Sequence, residues 1–256
     1  MLYSPILSFL RFLVFIPWVI GIATLHLITS FLSNKFFFIF YRLLFVGATK
    51  IFGIQVNISG IAKKKKVLFV SNHISYLDIL VLGSSVDAIF IAKSEIKGWP
   101  IINKLCSIGK TIFVERTEIR SVKSQMKVIE ENMVKGFNVI LFPEGTSSDG
   151  SKVLNFKSSL FGLIDFKNLR NYDIQPVSIS YSKLDGLPLD KFFRPFLAWF
   201  GGMDLISHAW KFLGLGLSEV NVHFHNSKKF SDFLDRKHAC NFCYEIISNQ
   251  VINDYR

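Results

Sequence analysis

The chain has 256 residues, half of them hydrophobic, with 30 Lys plus Arg against 19 Asp plus Glu and a formal net charge of +11. So long and apolar a sequence excludes intrinsic disorder and leaves room for one large domain with an appendage. A mean hydropathy of +0.36 places some apolar surface against lipid, and the cationic excess then favours anionic headgroups or an acidic carrier protein, not nucleic acid, as partner.

In chain order, residues 12–32 run without a formal charge, His26 being their single ionisable group. Such a run is long enough to span a hydrocarbon core. A cleaved signal peptide has a shorter apolar region and a small-residue cleavage site, so this segment is expected to be retained. After Ser33, Asn34 and Lys35 comes a second apolar segment, FFFIFYRLLFVGATKIFGI, in which Arg42 and Lys50 sit where cations of an interfacial helix snorkel to headgroups. Residues 1–53 therefore read as a membrane-anchoring helical hairpin, spanning or confined to one leaflet, with two buried core helices as the bland alternative.

From Ile54 short β-rich runs alternate with helix-length amphipathic segments. This pattern predicts an α/β domain over residues 54–256, a mostly parallel or mixed sheet of about seven strands flanked by helices. Strands are expected over 54–58, 67–71, 88–92, 111–114, 138–142, 174–181 and 219–225. Helices are expected over 75–82, 96–107, 121–135, 158–166, 203–213 and 231–251. The run from Lys63 to Lys66 precedes a strand, either as a solvated loop guarding it against aggregation or as a contact for anionic headgroups or an acidic carrier.

The chemistry concentrates in four places. In SNHISYLDIL, His73 and Asp78 are five residues apart, about 140° around a helix, so they meet only if His73 lies in the turn before the helix. Ser75 is a natural N-cap with Asp78 three positions on, a capping box that explains Asp78 without catalysis. The chemical reading makes His73 a general base oriented by the Asp78 carboxylate, with no covalent nucleophile. The absence of a G-x-S-x-G elbow counts against a serine esterase.

The stretch VILFPEGTSSDG ends an apolar strand in a turn, either a bare turn or one whose backbone amides around Gly145 and hydroxyls of Thr146, Ser147 and Ser148 suit phosphate or headgroup oxygens, with Glu144 placed to orient a hydroxyl or a basic residue. In TIFVERTEIR a short strand delivers Arg116, a bidentate ligand for phosphate or carboxylate, or an ordinary surface arginine. Lys157 in NFKSSLFG is a phosphate ligand or a solvated helix-start lysine.

Elsewhere, His223 with His225 on one strand face, and Asp204 with His208 one helical turn apart, suggest a metal only if they converge with further ligands. Core and surface histidines explain them more simply. Three cysteines cannot all pair, and Cys240-x-x-Cys243 lacks the second half of a zinc module, so that pair is assigned to packing in a reducing compartment.

In order, NHISYLD, FVER, FPEGT and the looser QPV at Gln175 to Val177 resemble the four motifs of the phospholipid and glycerol acyltransferase family, typified by 1-acylglycerol-3-phosphate acyltransferases. The resemblance covers about residues 67–181. It implies His73 as general base, Asp78 as its orienting partner, and Arg116, Glu144, Gly145, Thr146 and Lys157 at the acceptor site. It also implies an acyl thioester donor, acyl-CoA or acyl carrier protein, with no metal and no bound cofactor. The acceptor it implies is a lysolipid, 1-acylglycerol-3-phosphate first, in phospholipid biosynthesis at a membrane with the catalytic domain facing the cytoplasm.

One departure matters, because Ser147, Ser148 and Asp149 follow FPEGT where many lysophosphatidate-using members carry arginine. That string, with LAWFGGMDL and VNVHFH, is similar to the lyso-ornithine lipid acyltransferase branch, the alternative acceptor class. A basic peripheral membrane protein without catalysis is the reading from a different class, and it leaves the ordered motifs unexplained.

Overall fold

The computed structural model describes residues 3–29, 34–93, 98, 100–114 and 119–255. Two N-terminal helices, α1 (Pro5–Thr29) and α2 (Asn34–Phe52), lead into a mixed sheet. Its strands are β1 (Ile54–Gly60), β2 (Val67–Ser71), β3 (Ile89–Lys93), β4 (Ile112–Val114), β5 (Val139–Leu141), β6 (Asp173–Leu184), β7 (Leu187–Pro188), β8 (Ser218–Phe224) and β9 (Lys228–Lys229). The order across the sheet is β1-β8-β6-β2-β5-β3-β4, with the two-residue β7 and β9 paired to β6. Neighbours β6, β2, β5, β3 and β4 run parallel, and β8 turns antiparallel to β6. The central β2, VLFVS, is buried at all five positions, as expected of a strand covered on both faces.

Helices α3 (Leu77–Ser85), α4 (Pro100–Ile108), α5 (Ile119–Val134), α6 (Leu205–Leu213) and α7 (Arg236–Asp254) flank the sheet. Boundaries differ from the expected ones by a few residues, and Ser158–Asp165, expected as α-helix, is a 3-10 helix. Ser75 does not cap α3. The N-cap is Tyr76, without a side-chain bond, and the Ser75 hydroxyl has no partner among the described residues.

The hairpin is antiparallel, with Phe15 against Phe52, Trp18 Nε1 donating to the Leu44 carbonyl at 3.2 Å, and His26 against Phe37. A Cβ on Gly47 would lie 2.1 Å from the Trp18 ring, so any larger residue there would displace that ring from the crossing. Phe37, Tyr41, Ala48 and Phe52 are buried in α2, and Phe37, Tyr41 and Phe52 belong to the same apolar cluster as β2 and α3. The hairpin is therefore half core and half surface, between the two expectations. Its outer face leaves Ile6, Phe9, Leu10, Leu13, Val14 and Ile20 more than half or close to half exposed, and α1 is long and apolar enough to cross a membrane by length and composition.

Contacts to the sheet domain run along the whole of α1. The Ser4 N–H donates to the Gly214 carbonyl at 2.8 Å, and Arg11 donates to the carbonyls of Leu213 and Leu215 at 3.1 and 2.6 Å. Near the other end, His26 Nε2 lies 3.2 Å from the carbonyl of Ile108, the last residue of α4.

Candidate active site

His73 lies in the turn between β2 and α3, outside the helix, as the 140° argument requires. Its Nδ1 lies 2.8 Å from Asp78 Oδ2. The same oxygen accepts the N–H groups of Ile74 and Ser75 at 2.6 and 2.9 Å, while Oδ1 accepts the Tyr181 hydroxyl at 2.8 Å. Asp78 is fully buried and His73 one-fifth exposed. The carboxylate oxygen that accepts the N–H groups of the turn before α3 thus also lies against the imidazole. A carboxylate only accepts, so Nδ1 carries the hydrogen and Nε2 of the neutral ring is left as the proton acceptor. Among the described residues Nε2 has no hydrogen-bond partner, and the ring stacks on Phe142 at 4.3 Å.

Glu144 is buried, and its oxygens accept the backbone N–H groups of His73 at 2.7 Å and Leu154 at 2.9 Å. Both of its oxygens are thus engaged by the backbone of the chain itself. The Ser148 N–H donates to the His73 carbonyl at 2.9 Å, so the FPEGT turn holds the His73 turn from both sides. Burial pushes the Glu144 carboxyl up to about 8, against the downward pull of the His73 and Leu154 N–H groups, and the charge of Asp78 adds to the rise. Gly145 sits at φ +77°, a left-handed conformation that favours glycine, and brings Thr146 to the surface.

A cavity of about 540 Å³ opens beside His73. Its walls come from the hairpin (Phe15, Val19, Ala23), from β3 and the α4–β4 turn, and at the His73 end from Tyr76, Phe142, Gly145, Thr146 and Trp199. Lys157 is exposed, and it is not among the described residues lining the cavity. Arg116 lies outside the described residues, as do Glu115 and Glu118. Of the fourth block, Val177 pairs with Ser71 at the His73 end of β2. Gln175 joins the Ile61 and His225 carbonyls and the Lys63 N–H near the start of β6, and Lys63 pairs with Asp173 there at 2.7 Å. That places the lysine run at the opposite end of β2 from His73, in keeping with a solvated loop.

Residues 54–180 match the family model described as Acyltransferase. The chain is 36% identical over 195 residues to the lyso-ornithine lipid O-acyltransferase of Rhizobium meliloti (strain 1021), covering 74% of this chain and 67% of that protein. It is 34% identical over 193 residues to the protein of the same name from Brucella abortus (strain 2308), covering 73% and 72%. The chain belongs to the acyltransferase family. The acyltransferase is also 35% identical over 109 residues, 43% of each chain, to the 1-acyl-sn-glycerol-3-phosphate acyltransferase of Neisseria gonorrhoeae. Among solved structures, the 1-acyl-sn-glycerophosphate acyltransferase PlsC of Thermotoga maritima shares its fold, with a TM-score of 0.66 at 22% identity over 96% of this chain and 97% of that one.

Sequence reasoning missed two residues of this acyltransferase that the fold brings in. Tyr181 reaches Asp78 from β6 across 103 positions, and burial, then the Asp78 charge, raises its hydroxyl well above the ordinary tyrosine range, so it stays a donor. No local pattern announces that contact beyond the inward phase of the strand. Asn72, seen only as a motif letter, donates to the Ile179 carbonyl and accepts the Ile179 N–H at 2.9 and 2.8 Å, pinning the end of β2 to β6. The histidines weighed as metal ligands are engaged otherwise. His223 pairs with Asp254 at 3.1 Å and with Ser59, and His225 bonds Ser178. Asp204 caps α6 through the Ser207 N–H, and His208 bonds Tyr76.

Proposed function

We propose that this O-acyltransferase moves a fatty acyl group from a thioester, acyl-CoA or acyl carrier protein, to the free hydroxyl of a lysolipid. The observation that carries the reading is the His73–Asp78 contact on the wall of an apolar cavity. The acceptor hydroxyl gives its proton to His73 Nε2 as its oxygen attacks the thioester carbonyl carbon. Asp78 faces the imidazolium that results, and collapse of the tetrahedral intermediate expels the thiol, which takes the proton back. The cavity, with hairpin side chains in its wall, takes the acyl chain. Thr146 and the Gly145 turn flank the acceptor, and Arg116, by its place in the motif order, supplies a cation there. Residues 54–256 form the catalytic part and residues 1–53 the anchor.

For the acceptor, a lyso-ornithine lipid is the first reading. The relatives aligned over about three-quarters of the chain carry that name, and the exposed Asp149 follows FPEGT where a phosphomonoester would want a cation. 1-Acylglycerol-3-phosphate is the second, supported by the Neisseria relative. Purified protein offered both acceptors with both donor types distinguishes them, the first reading predicting faster diacyl product from the amino-acid lipid. Thioester cleavage that proceeds equally without any lysolipid would mark a hydrolase and end the transferase reading.

Membrane association follows from α1, and the geometry favours one leaflet. Contacts from Ser4 to His26 span about 33 Å at 1.5 Å per residue, so a transverse α1 would draw the domain through the bilayer. The catalytic domain is taken to face the cytoplasm, in line with its free cysteines.

A further inference from the structure

Helix α6 lies outside the matched region and has no role in the chemistry above. Asp204 accepts the Ser207 N–H at 2.8 Å and starts the helix. One face turns inward, with Phe212 buried against Phe52 and His208 between the Tyr76 hydroxyl and the Pro195 carbonyl, each at 3.1 Å. The other face presents Ile206, 80% exposed, and one turn later Trp210, 38% exposed, with Lys211 beside it. A single exposed isoleucine is ordinary, and contiguity is what distinguishes this face. The Trp210 ring meets Phe12 of α1 edge to face at 6.1 Å, and the Ser8 hydroxyl donates to the Trp210 carbonyl at 3.0 Å. Phe9 and Leu13, both at least half exposed, continue the surface along α1.

We infer that α6 is a third membrane-contacting element, its Ile206 and Trp210 stripe entering the same lipid leaflet as α1. The inference rests on the reading of α1 as an in-plane anchor. Lipid is the occupant because the stripe is continuous with α1, because a tryptophan at the edge of an apolar face suits the headgroup boundary, and because Lys211 beside it suits anionic headgroups. Through His208 and Tyr76 the lipid contact stands one side chain from the cavity wall.

The test uses the full chain with Cys106→Ser, since Cys240 and Cys243 are buried, and an environment-sensitive fluorophore on a single cysteine placed at Ile206, Leu10 or Ile61. Leu10 is on the exposed face of α1, and Ile61, 88% exposed, lies beyond the far end of β1. Vesicles of phosphatidylglycerol and phosphatidylethanolamine carry a doxyl-labelled lipid as quencher. Quenching at positions 206 and 10 but not 61 is expected, and Ile206→Glu should weaken vesicle partitioning by about tenfold. Quenching at 10 alone would overturn the role of α6 and leave the anchor standing. No quenching at 206 or 10 would overturn both. A signal at 206 that follows protein concentration without vesicles would assign the face to a second copy of the chain and overturn the lipid contact.

Discussion

Replacing Asp78 by Asn separates the two tasks of that carboxylate. Oδ2 accepts His73 Nδ1–H and the N–H groups of Ile74 and Ser75, whereas Oδ1 faces only the Tyr181 hydroxyl. An asparagine that keeps its oxygen at the Oδ2 position retains the first set and turns its amide toward Tyr181, whose hydroxyl oxygen accepts. The turn and the His73 tautomer survive, and the negative charge facing the imidazolium is lost. An ion pair at such range is worth about 4 kcal/mol at an effective dielectric of about 20, so kcat should fall by about 10²–10³ with melting temperature little changed. Asp78→Ala, by contrast, strands buried donors at about 1–3 kcal/mol each and should fail to fold. Thiol release from a long-chain acyl-CoA, measured with saturating lysolipid beside a thermal melt, checks both. An Asp78→Asn enzyme as fast as the parent would refute the catalytic pair and leave Asp78 as a tie for the turn before α3.

Tyr181→Phe leaves Oδ1 without its hydroxyl donor and should cost about 2 kcal/mol, a melting temperature lower by roughly 4–8 °C, with kcat reduced less than in Asp78→Asn. An unchanged melt would remove Tyr181 from the site. Glu144 is raised from an ordinary carboxyl to about 8 by burial, so its share of stability is whole below about 4.5 and is lost as pH rises through about 8. Denaturant unfolding should show the parent losing roughly 3–5 kcal/mol across that window relative to Glu144→Gln, and parallel profiles would contradict the raised value. Ala23→Phe narrows the hairpin side of the cavity, and kcat/KM for a long-chain thioester should fall by about tenfold or more while a short-chain donor is spared. Equal losses for both donors would mean the acyl chain lies elsewhere.

Short apolar runs rich in β-branched residues, such as VLFV and VNVHF, located the seven longer strands, whereas the two-residue β7 and β9 carry no such signal. The Ser158 helix was legible as helical but not as 3-10, and it packs near α7 and α5. His73 and Asp78 could be paired from sequence because their contact is local, and helix geometry dictates when five residues' separation permits it. Glu144 could not be placed, since whether a strand-end carboxylate faces solvent or folds back onto backbone N–H groups depends on which turn lies beside it, and β2 and β5 are neighbours only in the folded sheet. Tyr181 and the α6 surface belong to the same class, contacts across 103 residues and across the two ends of the chain. Composition and the apolar N-terminal helix suggest membrane association. Tertiary structure decided which apolar faces remain bare, because burial of one side of α2 and exposure of one side of α1 are properties of packing and not of hydropathy.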